Sequence, residues 1–288
     1  MSQSLYVINL EGKKELFSRR KIFRSAKNAG APNEVAQEIA EEIGGRVYQG
    51  MKTSEIFRQI KSLLKKKAPT ASLRFNLKEG MRKLGPTGFI FEKYVAEIFS
   101  TAGFFVKINQ IIPGLCCNHE IDFLAEDSES LIFGECKYRN LGGGKVDLPI
   151  ALQNYARFLD IRNGPFLEEG RIKGKKARTM LVTNEKFTIE AINYSRCMET
   201  ELLGWKYPKR GGLERLIEKN SLYPITILPS FKRHLSQIFV AKNLNFVKDI
   251  FDLDLERFGE KNKIPLAYLK KLKREAEILM AGHLFRNS

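Results

Sequence analysis

The sequence predicts an α/β protein, α+β over the whole chain, with a mixed α/β middle between helical ends. Apolar runs of strand length recur around residues 104–112, 118–125 and 131–138, close together and separated by turns. Helical periodicity brackets them, over about 87–101 before and from Leu148 after, and a further strand and helix follow in "RTMLVTN" and "TIEAINYSRCME". Outside this middle, helical spacing dominates both the first 84 residues and the stretch from Ser221 onward.

In chain order, residues 5–9 alternate weakly and turn at "EGKK", which predicts a short strand. Helices follow in "VAQEIAEEIGGRVYQG" and "TSEIFRQIKSLLKKKA". The second closes on Lys65, Lys66 and Lys67, a charge run that a helix C-terminus accepts and that reads as a solvated face. "LGPTG", residues 84–88, combines Gly, Pro and Thr just ahead of an apolar helix and marks a boundary. The expected parts are 1–84, 85–219 and 220–288. In the helix from Thr87, Phe91, Val95 and Phe99 form the buried stripe, Glu92 projects among them, and Glu97 falls on the polar side. The tail "LAYLKKLKREAEILM" places apolar residues at 266, 269, 272, 276 and 279 with Lys270, Lys271, Lys273 and Arg274 opposite. That pattern suits a helix gripping phosphates and a plain basic packing helix equally. The chain has no internal repeat and no low-complexity tract.

Charge narrows the partners. Lys and Arg number 49 against 33 acidic residues, a formal +16 with a pI near 9.6, which favours a polyanion, nucleic acid ahead of an anionic membrane surface. With 43% hydrophobic residues the chain has material for real cores. No apolar run approaches the roughly 20 residues that span a bilayer, and "MSQSLYVINLEGKK" lacks a signal peptide's basic start and apolar middle, so the expectation is a cytoplasmic protein without a membrane partner. Cys116, Cys117, Cys136 and Cys197 show no CxxC spacing. Cys116 and Cys117 with nearby His119 lack the spread of a zinc site, and the four read as reduced, buried thiols.

Chemistry concentrates in "NHEIDFLAEDSESLIFGECKY", residues 118–138. On a strand, side chains two apart share a face, so Glu120 pairs with Asp122 and Glu135 with Lys137. A carboxylate within an apolar strand is costly without a partner, and a divalent cation is one such partner. Carboxylates hold Mg²⁺ against a phosphate, and Lys137 adds positive charge where a phosphorane gathers negative charge. Cys136 falls on the opposite face, as a structural residue. His119 beside Glu120 reads as a hydrogen-bonded structural pair, with a supporting role at the metal open to Glu120.

The set Glu92, Asp122, Glu135 and Lys137, with Glu-x-Lys 13 residues after the Asp, resembles the PD-(D/E)xK or restriction-endonuclease-like nucleases, and within them the Mrr-like and archaeal resolvase-like branch. The likeness covers roughly residues 85–205. It implies a mixed central sheet flanked by helices and a Mg²⁺- or Mn²⁺-dependent endodeoxyribonuclease. In that likeness Asp122, Glu135 and Lys137 take the strand positions, Glu92 is the first-helix acid, and the metal lies on Asp122, Glu135 and Glu92. Gln153, in "ALQNYARFLD", resembles a glutamine that some branches add on the following helix, although it shares its side with Arg157 and Asp160. Ile121 stands where the family name has Pro.

The first 84 residues, through "VINLEGKKELF", "KI" and "GMKTSEI", resemble the ATP-cone, a nucleotide-sensing domain. The resemblance implies nucleotide contacts at Val7, Glu15, Lys21, Ile22 and Thr53, with ATP or dATP as effector and coupling through homo-oligomer assembly. Asn9 and Leu10 replace the family's Lys-Arg pair, and Phe57 its His. The rival readings are a non-catalytic, nucleotide-responsive DNA binder and an RNA-processing nuclease.

Overall fold

The computed structural model describes residues 5–85, 88–168 and 170–284. It divides into two compact units rather than three. One comprises the described residues up to Met81, Pro224–Ile238 and those from Phe246 on; the other comprises Arg82–Tyr223 and Phe239–Asn245.

In the first unit, β1 (Tyr6–Ile8) pairs antiparallel with β2 (Lys14–Leu16). Helices α1 (Arg19–Asn28) and α2 (Asn33–Arg46) follow. The two-residue β3 (Met51–Lys52), parallel to β1, leads into α3 (Thr53–Lys67). Only the first of these strands is predicted; β2 and β3 are too short to set a period-two pattern. Ser18 caps α1, its hydroxyl accepting from the Lys21 amide at 3.4 Å. The helices form because apolar residues recur at helical spacing: Ala36, Ile39, Ala40 and Ile43 on α2 (i, i+3, i+4, i+7), and Ile56, Ile60, Leu63 and Leu64 on α3 (i, i+4, i+7, i+8), all buried in one core. Two short helices, α4 (Pro69–Phe75), with Pro in its first turn, and α5 (Leu77–Arg82), end this stretch.

The second unit runs α6 (Phe89–Thr101), β4 (Phe105–Pro113), β5 (Asn118–Glu126), β6 (Ser130–Lys137), β7 (Lys145–Val146), α7 (Leu148–Arg162), β8 (Lys176–Thr183), β9 (Lys186–Phe187), α8 (Ile189–Cys197), β10 (Glu201–Leu203) and α9 (Leu213–Lys219). Thr87, the expected start of the first helix, lies outside the described residues. The main sheet has the order β10-β8-β6-β5-β4. Strands β4, β5 and β6 are an antiparallel meander, and β8 and β10 add in parallel through helical crossovers. The class is the α+β, mixed-sheet one that the sequence predicts.

Strand β6 is central, with Ser130 through Cys136 all buried, so it reads as a continuous apolar run. Phe123 packs with Phe99 of α6 at 5.1 Å between centroids. Phe133 lies 5.9 Å from Phe158 of α7. Gly134 must be glycine, since a Cβ there would sit 2.0 Å from the Phe123 ring. Of the four cysteines only Cys136 is buried; Cys116, Cys117 and Cys197 are exposed, against expectation. The first two sit on the turn between β4 and β5, where polar tip residues rather than the sheet's apolar faces surround them.

The chain finishes with α10 (Ser236–Ala241), α11 (Leu255–Asn262) and α12 (Leu266–Leu284). The expected third part, 220–288, is not a unit of its own. Leu269, Leu272, Ala276 and Leu279 are buried, and α12 packs against α4 within the first unit. The apolar face of α12 is spent against α4, so the tail forms no separate core. Among the described residues, no helix is long and apolar enough to cross a membrane.

Candidate active site

Strand β5 is irregular at one place, Asp122. Its register with β4 runs from Phe105↔Glu126 to Pro113↔Asn118 but skips the pair Asn109 and Asp122, and Asn109 has a left-handed φ of 51°. Asn tolerates that conformation better than most residues. On the other side, pairing with β6 extends only to Phe123↔Gly134. Ile121 and Leu124, which a regular strand would send to opposite faces, join one core cluster. Strand β5 therefore changes phase at Asp122. Freed from the ladder, the Asp122 carboxylate accepts from the Cys136 amide at 2.6 Å.

Glu135, 6% exposed on β6, is held between two cations. Lys137 Nζ, two residues on and on the same face, lies 2.6 Å from one carboxylate oxygen. Arg157 Nη1, from α7, donates to the other and also reaches the Glu120 carbonyl at 3.3 Å. Even so, negative charge is in excess. Burial lifts the Asp122 carboxyl from 3.8 to about 6, with Glu135 adding and the Cys136 amide, Lys137 and Arg157 opposing. Half-buried Glu92, on α6, is lifted from 4.5 to about 7, chiefly by burial and then by Asp122, Glu120 and Glu135. The Cys136 thiol beside them is pushed well above its ordinary range by its own burial first and by these carboxylates second. Glu92, Asp122, Glu135 and Lys137 thus lie in one electrostatic neighbourhood, where with Glu120 four carboxylates face the two cations Lys137 and Arg157.

Gln153 is exposed and lies one turn before Arg157 on the same side of α7. The group that α7 delivers to Glu135 is Arg157, and the signal for it was that shared helix side. Glu120 is exposed. His119 pairs with Asp160 at 2.7 Å, not with Glu120.

Also unanticipated is the end of β8. Thr183 donates to the Lys137 carbonyl at 2.7 Å, Asn184 bonds both the amide and the carbonyl of Arg139, and Glu185, 2% exposed, pairs with Arg82 at 2.7 Å. Tyr138 donates to the Arg82 carbonyl at 2.7 Å. These bonds fix the chain leaving Lys137. Sequence periodicity carries no sign of them, since each joins residues 45 or more apart.

In the first unit, Val7, Glu15, Lys21, Ile22 and Thr53 all line one cavity of about 200 Å³, together with Phe57 and Phe75. The two phenylalanines stack at 4.5 Å between centroids. Lys21 is 3.3 Å from Glu15, which also accepts from the Asn9 side chain at 2.8 Å. On α12, Lys270, Lys271 and Arg274 are exposed and Lys273 is half-buried.

No family model matches the chain. An uncharacterized protein of Archaeoglobus fulgidus is 35% identical over 166 residues, 58% of this chain and 88% of that protein. The chain belongs to that protein's family. The crystal structure of AF1548, a protein of unknown function, matches with 30% identity and a TM-score of 0.56, covering 68% of this chain and all of that one.

Proposed function

We propose that the chain is a metal-dependent endodeoxyribonuclease of the PD-(D/E)xK kind, with the reaction at Glu92, Asp122, Glu135 and Lys137. The observation that carries this reading is the unbalanced carboxylate cluster at the break in β5. A structural salt-bridge network would hold carboxylates below their ordinary range, whereas Asp122 and Glu92 are raised to about 6 and about 7. Such a donor set, hard, anionic and short of positive charge, fits Mg²⁺ or Mn²⁺ on Asp122, Glu135 and Glu92. When bound, that ion supplies Lewis acidity at the phosphate and acidifies a water.

The protein's own groups account for the rest. The irregularity at Asn109 and Asp122 turns one carboxylate out of the ladder, and the Cys136 amide orients it. Arg157 holds Glu135 in place from α7. Lys137, anchored 2.6 Å from Glu135 at the more open edge of the cluster, stabilises the charge that gathers on the phosphoryl oxygens. The formal +16 draws the polyanion in, and the exposed Lys270, Lys271 and Arg274 of α12 are the phosphate contacts assigned to the first unit.

The cavity lined by Val7, Glu15, Lys21, Ile22 and Thr53 supports ATP or dATP as an effector, acting through assembly of chains. Phe57 and Phe75 line the same cavity as Lys21, so it offers an aromatic face to a base and a cation to a phosphate.

The deciding experiment incubates the full chain with labelled duplex, branched and single-stranded DNAs, and matched RNAs, with Mg²⁺ or Mn²⁺. Asp122→Ala and Lys137→Ala should each abolish DNA cleavage while leaving binding nearly intact, because their cost falls on the transition state. Cleavage surviving in either variant overturns the site. Binding without cleavage by the parent chain supports the non-catalytic DNA binder, and cleavage of RNA alone the RNA-processing enzyme.

A further inference from the structure

A second cluster lies apart in composition from the carboxylates. Among the described residues, the Cys, His, Asp and Glu side chains whose donor atoms all fall within 4.8 Å of one another are Cys117, His119 and Asp160. We propose that they form a zinc site that staples the turn between β4 and β5 to α7.

Geometry distinguishes this from the two other uses of a Cys, His and Asp set. In a nucleophilic triad the imidazole takes the thiol's proton on one nitrogen while the carboxylate holds the other. Here both contacts converge on the same atom, since His119 Nε2 lies 3.6 Å from Cys117 Sγ and 2.7 Å from Asp160 Oδ2. One nitrogen cannot relay between them. A plain hydrogen-bonded pair of His119 and Asp160 needs no thiol, yet Cys117 Sγ lies within 4.0 Å of both. An ion among the three atoms satisfies all of them.

The spacing is close to what the ion needs. Tetrahedral zinc with bonds of about 2.3 Å to sulfur and about 2.1 Å to nitrogen and oxygen sets S···N and S···O near 3.6 Å and N···O near 3.4 Å. The observed separations are 3.6, 4.0 and 2.7 Å. On binding, Nε2···Oδ2 opens by about 0.7 Å and Sγ···Oδ2 closes by about 0.4 Å. Mixed sulfur, nitrogen and oxygen donors select zinc over Mg²⁺.

The backbone prepares the site. Asp160 Oδ1 and Oδ2 accept from the amides of Cys116 and Cys117 at 2.9 and 3.3 Å, and the Leu115 amide donates to the Asp160 carbonyl at 2.9 Å. Gly114 and Gly164 permit the approach. A Cβ on the first would sit 2.2 Å from Asp160 Oδ2, and one on the second 2.5 Å from the Gly114 carbonyl carbon. Three protein donors leave the fourth tetrahedral position to a water molecule. Binding exchanges the thiol proton of Cys117 for the metal, so one proton leaves with each thiolate formed.

The test uses the full chain, stripped with a chelator and titrated with Co²⁺ and then Zn²⁺. The expected result is a thiolate-to-cobalt absorption band saturating at one equivalent, erased by Zn²⁺ and untouched by excess Mg²⁺. Cys117→Ser and His119→Gln should remove the band, and Asp122→Asn should keep it. Independently of any variant, Zn²⁺ should slow alkylation of Cys117, followed by mass spectrometry, about tenfold or more. No thiolate band, a band that survives Cys117→Ser, a band lost with Asp122→Asn, or unchanged alkylation would each overturn the proposal.

Discussion

Replacing Asp122 by Asn should stabilise the metal-free protein, and increasingly so as pH rises. The Asn side chain keeps an oxygen for the Cys136 amide and removes the charge. A carboxyl raised from 3.8 to about 6 binds its proton more tightly when folded, so folding stability is fully present below pH 3.8 and is lost as pH rises through about 6. About two units correspond to about 3 kcal/mol at full effect, and partial exposure of the side chain brings this to about 2 kcal/mol. For a unit of this size 1 kcal/mol moves Tm by about 2–4 °C, so the variant should melt with its parent near pH 4 and about 4–8 °C above it at pH 8. Glu92, raised to about 7, loses its contribution between 4.5 and 7 and should behave alike as Glu92→Gln. Thermal melts in EDTA across pH 4 to 8 measure the difference. Millimolar Mg²⁺ at pH 8 should raise the parent's Tm and leave the variant's unchanged. A difference that is flat or negative with pH would refute the reasoning, because Lys137 and Arg157 would then be stabilising a charge that has no need of a metal.

Arg157→Ala removes a charge-assisted bond to Glu135 and should cost about 1.5–3 kcal/mol in urea unfolding, while lowering the Mg²⁺ concentration that half-saturates cleavage, since a competing cation is gone. DNA affinity should fall with log salt at about −0.9 per phosphate contacted. Replacing Lys270, Lys271 and Arg274 by Ala should reduce that slope by up to about 2.7; an unchanged slope removes α12 from the interface. Such substitutions are preferable to deleting the tail, whose apolar face belongs to the core of the first unit. Calorimetry of the full chain with ATP and dATP should give binding at high micromolar concentrations or weaker, abolished by Lys21→Ala, because a phosphate must draw Lys21 from Glu15 and each missing charge-assisted contact costs about 1.5–3 kcal/mol. No heat and no melting shift at millimolar nucleotide would leave the cavity without that ligand.

The elements of the sheet were legible because each long strand carries its own apolar run: those expected at 104–112, 118–125 and 131–138 are found at 105–113, 118–126 and 130–137. So was the neighbourhood of Asp122, Glu135 and Lys137, because a carboxylate in such a run breaks the local pattern. Pairings across the chain left no comparable mark. Arg157 reads as a solvated helix residue until β6 is placed beneath it, and Asp160 as another until the turn at Cys117 arrives against it. For the same reason the exposure of Cys116 and Cys117 leaves no mark in the sequence, since burial of a turn residue depends on what the fold brings to it.

Asn109 shows the limit most sharply, and it also links the two clusters. A single Asn inside "FVKINQIIP" carries no signal of a left-handed backbone, yet its φ of 51° interrupts β4 opposite Asp122 and lets β5 change phase there. The pairing resumes at Gln110↔Ile121 and continues to Pro113↔Asn118, so the same stretch of hairpin that begins at the candidate catalytic aspartate ends at Cys117 and His119. Helix α7 meets this stretch twice, through Arg157 at the Glu120 carbonyl and, three residues on, through Asp160 at the turn. Holding the turn to α7 therefore also holds the register on which the position of Asp122 depends. If the zinc site forms, stripping it should weaken Mg²⁺ binding at the carboxylates without touching any of them, a coupling measurable as a shift in the Mg²⁺ dependence of melting between Cys117→Ser and its parent.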